Sequence, residues 1–547
     1  MHYLKTHFWL LLQAIVFLFI SLSFIIPSGN YSCISGVCGL WIGSWQMHDA
    51  LWHISLAKLG FGTWPLHNPF MAGASLHSYN FLLDAIIYGL SQLGISPFFS
   101  FFKLLPVVAA SIYVVSVFSF LHSRTLDLVR ANLLAFFLFF GNGMSYLATL
   151  YQDHSFYYAS LRGFPVVTSI EPTTMFQNLQ YSFSLSLLLW LLILLKKSVT
   201  KWTPLFYGFI FFLLFGFKFY AGVVGILIAL GYLWRQFKSL LAIGSGSLLG
   251  LVIFYGLSSH SGFPFVWAPF ALTHLLIDDP LLFYNHSLTL ARYYLADHLH
   301  GFSPRLIFIE GWSVFLFLMV NFGVRIIGFF YGISHRAWLT LVILITILLP
   351  IFFIQDGGWY NTMQFLYYGV WLSGILLAEW LASLIHSHWK LGMLITVIAI
   401  ILTIPNDLEQ LRLLTAPQIL VGREELQALS ILKDSPPGTV HLSDPIHKTG
   451  LVPALAEKYP YYLDTDQLMV THSDYQDRLA YLTKYSGGSI TQVPAQYYLI
   501  YKQDVGSPDA IQALDHPEYT KLYDSPTITL FARRSQFPSS SDDTIKQ

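Results

Sequence analysis

The 547-residue chain is poor in charge: only 11% of it is Asp, Glu, Lys or Arg, against 55% hydrophobic and 17% aromatic. Soluble domains carry roughly 25% charge, so this scarcity excludes a chain surrounded mainly by water. Neither sign is in excess, with 29 basic and 29 acidic residues, which excludes the broad basic surface that nucleic acid requires. Cysteine is almost missing. The two present, Cys33 and Cys38, share one short polar loop, where an oxidising compartment would join them and a reducing one would leave two thiols. No further thiol stands near enough in the sequence to complete a two-cysteine metal site. No small-residue cleavage site follows the first apolar run, Phe8 to Ile26, so that run is expected to stay as a signal anchor with the amino terminus inside.

Long apolar runs are what the chain has in abundance. After the anchor, further spans are expected near 98–120, 131–150, 177–195, 203–217, 219–234, 239–257, 306–330, 338–354, 361–382 and 391–404, about eleven crossings in all. The segments this assigns to the inner side collect Lys5, Arg124, Arg130, Lys196, Lys197, Lys201, Arg235, Lys238, Arg325, Arg336 and Lys390, as the positive-inside rule demands. Of the acids before Pro405, only Asp127 and Glu379 fall inward; the rest, among them Asp84, Asp278, Asp279, Asp297 and Glu310, fall outward. The paired runs flanking Lys218 are short for full spans and have Lys201 and Arg235 on their far flanks, so a hairpin with a shallow or buried tip is expected. Gly246 and Gly250 form a small-xxx-small pair suited to close helix packing.

Acidic residues divide the chain: 11 of the 29 precede Pro405 and 18 follow it. Beyond that proline the period shortens to helices at Glu424–Leu432 and Asp474–Lys484 and strands at Thr439–Leu442, Gln496–Lys502 and Ile528–Arg534. The expected architecture is a mainly α membrane protein. A polytopic domain over 1–405 has a long first outer loop, a small α/β extracytoplasmic domain covers 406–537, and 538–547 form a Ser- and Asp-rich disordered tail.

Chemistry concentrates in that first outer loop, about residues 28–97, which is too long and too aromatic for a plain connector. It carries Trp45-Gln-Met-His-Asp-Ala-Leu-Trp-His53, in which Asp49 and His53 stand i, i+4 and would share a helix face as a base with its orienting partner, or as half a metal site. Then come Trp64-Pro-Leu-His-Asn-Pro-Phe-Met-Ala-Gly73 and Ser78-Tyr-Asn80. On these residues the chain resembles the GT-C type glycosyltransferases, polytopic enzymes that use polyprenyl-phosphate sugars and include the protein O-mannosyltransferases and the aminoarabinose transferases. The resemblance implies a hexosyl- or pentosyltransferase at the plasma membrane. It makes Asp49 the general base that deprotonates the acceptor while the anomeric carbon inverts. His48 before it and Ala50 after it depart from the Asp-Glu and Asp-x-Asp forms of other branches. The other reading of Asp49 is an interfacial carboxylate paired with a nearby cation.

The same resemblance draws a second acid from a neighbouring outer loop, where Asp153-His154 and Glu171 stand; each could equally solvate a loop or cap a helix. Asp49, Asp153 and His154 would be the ligands of a divalent metal if one is bound, zinc suiting mixed imidazole and carboxylate donors. Lys218, in Gly216-Phe-Lys-Phe-Tyr-Ala-Gly222, is expected to meet the donor phosphate with Tyr220 beside it and Arg292 as a second cation, the alternative for Lys218 being snorkelling to the interface. His48, Asn68, Tyr79, His154, Asp356, Asn361 and Gln364 are candidate sugar or acceptor contacts, Asn361 alternatively a helix cap. The implied partners are a polyprenyl-phosphate-linked sugar, an acceptor that is protein, glycan or lipid, and membrane lipids. Two other classes stay open: a transporter or lipid flippase, for which the internal repeat is missing, and a non-catalytic cell-envelope assembly protein.

Overall fold

The computed structural model describes residues 2–534 except 35, 63, 78, 125–126, 156–177, 197–199, 256–264, 299–302, 416–419, 446–449, 472, 486–489 and 505. Among the described residues the chain forms two compact units. One draws on Met1–Ile25, Leu105–Gly256 and Ser261–Ala416, the other on Ile26–Leu104 and Pro417–Gln547. The expected tail at 538–547 lies outside the described residues.

The first unit is helical because its sequence is apolar on nearly every face, and a backbone in such surroundings must bond to itself. Among the described residues five helices are long and apolar enough to cross a membrane: Pro97–Ser123, Phe237–Phe254, Pro304–His335, Tyr360–Ser387 and Trp389–Leu408. Six shorter apolar helices accompany them, at Phe8–Ser23, Leu128–Phe140, Leu179–Leu194, Thr203–Phe217, Phe219–Leu233 and Ala337–Phe352. Each of the eleven runs expected from the sequence falls on one of these. The core is the helix Met363–Ser387, against which Leu128–Phe140, Ile326–His335, Ala337–Phe352 and Trp389–Thr415 all pack. Phe237–Phe254 lies at the rim and exposes Leu241, Leu248, Leu249 and Val252.

Two expectations are corrected here. The run 131–150 is not one helix, since it stops at Phe140 and resumes as Tyr146–Asp153. The intervening Gly141-Asn-Gly143 is buried irregular backbone whose polar groups are satisfied by protein: Arg325 donates to the Gly141 carbonyl (2.9 Å), Asn406 to that of Gly143 (3.2 Å), and the Met144 N–H to Val320 (2.8 Å). Arg325, counted above among the inner cations, is thereby buried, and it also donates to the carbonyls of Asn321 and Phe322. Pro405 does not end its helix, which runs through from Trp389 to Thr415. Asn406 and Asp407 anchor the turn after the proline by bonding Asn142 and Ser145, which supports the chain where the proline removes a donor.

In the second unit the first outer loop and the carboxyl-terminal residues share one fold. A hairpin pairs Asn30–Ile34 with Val37–Trp41, placing Cys33 opposite Cys38, and the two are joined as a disulfide. Leu420–Gly422 completes this sheet along Val37–Trp41. A second sheet has the order Val440–Leu442, Tyr497–Tyr501, Ile528–Arg533, Tyr519–Asp524, parallel at its first pair and antiparallel after it. All five residues of Tyr497–Tyr501 are buried, and the helix Arg423–Asp434 packs on the neighbouring strands. The helices and strands expected after Pro405 are present within two residues of their expected ends. The strand Tyr519–Asp524 and the helix Ser507–Leu514 were not expected.

Candidate active site

Ser44–Leu59 folds as a helix and buries Leu51, Trp52, Ile54 and Leu56, which leaves His48 and Asp49 partly in solvent. The Asp49 side chain keeps 47% of its surface, and its Oδ1 lies 3.3 Å from His48 Nδ1. The other ring nitrogen of His48, Nε2, stands 2.7 Å from Oδ2 of Asp464. Burial opposes a charge on this imidazole, but the hydrogen bonds and fields of Asp464 and Asp49 outweigh it and push the group up to about 10. His48 is thus a cation across the physiological range, held between two carboxylates.

The expected partnership of Asp49 with His53 is replaced by another. His53 turns into the core, stacks on Phe101 and bonds Oδ1 of Asp84 at 2.7 Å. Asp84 is fully buried, and burial raises its carboxyl above the ordinary range despite the imidazole beside it. Sequence reasoning placed Asp84 outside the membrane without a role. An acid between Phe81-Leu-Leu and Ala-Ile-Ile was its one local signal, since such an acid needs a partner if the apolar stretch is buried. For Asp464 there was none.

Asn68, a candidate sugar contact, is committed internally. Its amide donates to Thr471 (3.1 Å) and Ser473 (2.8 Å), and its carbonyl accepts from the N–H of Phe70 (2.9 Å). Tyr79 packs edge-on against Trp52.

The other candidates belong to the helical unit. Lys218 is the single extended residue joining Thr203–Phe217 to Phe219–Leu233, so the hairpin expected from the sequence is present, with its cation buried at 8% exposure. Tyr220, two residues on, donates to Oε1 of Gln355 at 2.5 Å and packs against Phe365. The hairpin therefore meets the Gln355–Gln364 segment. Asp356 there is exposed, while Asn361 is buried and accepts a bond from Gln364 (2.9 Å). Arg292, on the helix His286–His298, is buried in an ion pair with Asp278. Asp153 ends its helix and His154 caps it in left-handed backbone, both exposed. Glu171 lies outside the described residues. No three His, Cys, Asp or Glu side chains gather to hold a metal among the described residues.

No family model matches the sequence, and no curated protein matches it. Among solved structures the chain is similar to the oligosaccharyltransferase of Archaeoglobus fulgidus in complex with Zn and sulfate, with a TM-score of 0.50 and 14% identity over 97% of this chain and 74% of that one. It is also similar to the oligosaccharyltransferase AglB of that organism with an inhibitory peptide and a dolichol-phosphate (TM-score 0.49, 12% identity, 98% and 75% covered). A third is ArnT from Cupriavidus metallidurans bound to undecaprenyl phosphate (0.40, 10%, 96% and 98%). The fold is accordingly shared with the Archaeoglobus fulgidus oligosaccharyltransferase, which agrees with the fold that the resemblance of the first outer loop implies.

Proposed function

We propose that this chain is a membrane glycosyltransferase that moves a sugar from a polyprenyl-phosphate donor to an acceptor on the extracytoplasmic side. The observation that carries the reading is the half-exposed Asp49, presented on a helix of the first outer loop and held by an imidazolium, in a chain with the GT-C fold. Asp49 takes the proton of the acceptor hydroxyl or amine as that atom attacks the anomeric carbon. The bond from that carbon to the phosphate oxygen breaks, the polyprenyl phosphate leaves as an anion, and the anomeric centre inverts. Lys218, with Tyr220 beside it, meets the developing phosphate charge. Arg292, paired with Asp278, is the second candidate cation for that phosphate. The Gln355–Gln364 segment, tied to Tyr220, supplies polar contacts for sugar hydroxyls through Asp356 and Gln364.

Replacing Asp49 by Asn and following transfer of label from a polyprenyl-phosphate sugar tests the assignment. General-base catalysis supplies about 10²- to 10⁴-fold, and a loss on that scale is expected. Undiminished turnover removes Asp49 from the reaction.

A further inference from the structure

Asp464 is fixed more firmly than any surface carboxylate needs to be. Its Oδ1 caps the helix Thr465–Val470 by accepting from the Gln467 N–H (3.1 Å), its own N–H donates to Pro445 (2.9 Å), and its carbonyl accepts from Leu468 (3.1 Å). Its backbone occupies the left-handed region at φ 56°, a conformation that costs a non-glycine residue energy and that the surrounding bonds impose. All of this leaves one oxygen, Oδ2, aimed at His48 Nε2 at 2.7 Å. His48 itself is 43% exposed, and a side chain so open samples several rotamers unless something holds it. Gripped at Nε2, its ring has only Nδ1 left, and Nδ1 faces Asp49.

We infer that Asp464 is a positioning residue for the transfer reaction: it clamps the His48 ring, and the ring fixes the Asp49 carboxylate in the orientation that accepts the proton. The inference rests on Asp49 being the base. Nothing in the sequence around Asp464 announces the role, because the residue acts only through His48. A clamp of this kind changes the chemical step and not the affinity for the lipid donor, since misplacing a reacting group by about 1 Å costs on the order of 10²-fold in rate.

Two substitutions separate the clamp from the cap. Asp464→Asn keeps a capping oxygen and tolerance of left-handed backbone, but turns an NH2 donor in place of the acceptor oxygen Oδ2 towards His48 Nε2. Asp464→Ser keeps a capping hydroxyl but is too short to reach the ring. Full-length proteins purified in detergent are compared for kcat, donor KM and melting temperature. Both variants are expected to lose kcat by about tenfold or more at unchanged KM while melting near the wild type, because each keeps the cap and removes the acceptor for His48. His48→Gln should lose a similar amount, and the double variant no more than either single one. Wild-type kcat in Asp464→Ser overturns the clamp, as do additive losses in the double variant or a kcat deficit that disappears when only the folded fraction is counted. Failure of the base itself reads out separately, as full turnover in Asp49→Asn.

Discussion

His441 shows what burial does to a single group in this protein. It lies in the strand Val440–Leu442, against Tyr498, and among the described residues its Nδ1 has no hydrogen-bond partner. Burial pushes its imidazole down to about 4 from the ordinary 6.5. Between those values the unfolded chain binds a proton that the folded chain refuses, so stability falls as pH drops from 6.5 towards 4 and levels off below, where both states are protonated. The loss should approach roughly 3 kcal/mol. Thermal melts over that window should show it, and His441→Leu should flatten the slope; an unchanged slope means that another group titrates. At this scale the sequence was half legible. Asp49 stood out because acids are rare in its surroundings, and Lys218 because it interrupts two apolar runs. Partners were not legible, because helical spacing names neighbours on one helix. His53 instead chose Asp84 from another helix, and His48 chose Asp464 from the far end of the chain.

Helices were legible wherever apolar runs had polar ends, and their interruptions were not. Gly141-Asn-Gly143 breaks a run that reads as continuous, because the bonds that satisfy the break come from Arg325 and Asn406, residues in other helices. The glycine pair behaves as its spacing suggested. Thr203–Phe217 and Phe237–Phe254 pack along their lengths, and a Cβ on Gly246 would overlap the carbonyl oxygen of Gly208, while one on Gly250 would press on Phe215. Backbones that close tolerate only hydrogen at the contact. Gly246→Leu should therefore part the two helices, lowering stability by about 1–3 kcal/mol or more, visible as a drop in melting temperature and in folded yield. Gly244→Leu on the same helix is the control, since a Cβ there meets nothing within 4 Å, and it should melt like the wild type. Equal melting of the two variants removes the contact from the account.

For the whole molecule, the proposed orientation rests on charge. Ion pairs join the cations assigned to the inner side with the few inner acids, Arg336 with Glu379 (3.2 Å) and Arg130 with Asp127 (4.0 Å), and the His386 ring stands 3.8 Å from Asp127. The proposed orientation puts these helix ends in the cytoplasm. A cysteine placed at exposed Asp509 should react with a membrane-impermeant thiol reagent in intact cells, and one at exposed Lys390 only after permeabilisation; the reverse pattern turns the chain over and ends the proposed chemistry. Donor binding makes the more searching test. Lys218 puts a compact cation at the tip of an apolar hairpin, and Tyr220 ties that hairpin to Gln355. A point charge among apolar side chains suits a phosphate whose lipid tail lies along them. Native mass spectrometry of the protein purified in mild detergent should detect bound polyprenyl phosphate. Lys218→Gln should lower that occupancy by about tenfold, the equivalent of one lost charge-assisted hydrogen bond of about 1.5 kcal/mol. Lys218→Arg should restore part of it, because the charge returns on a different geometry. Asp49→Asn should bind the lipid as the wild type does and fail only in transfer, which divides binding from chemistry between the two residues. Full occupancy in Lys218→Gln, with donor KM unmoved, would mean that the phosphate is held elsewhere and that the hairpin cation serves the fold alone.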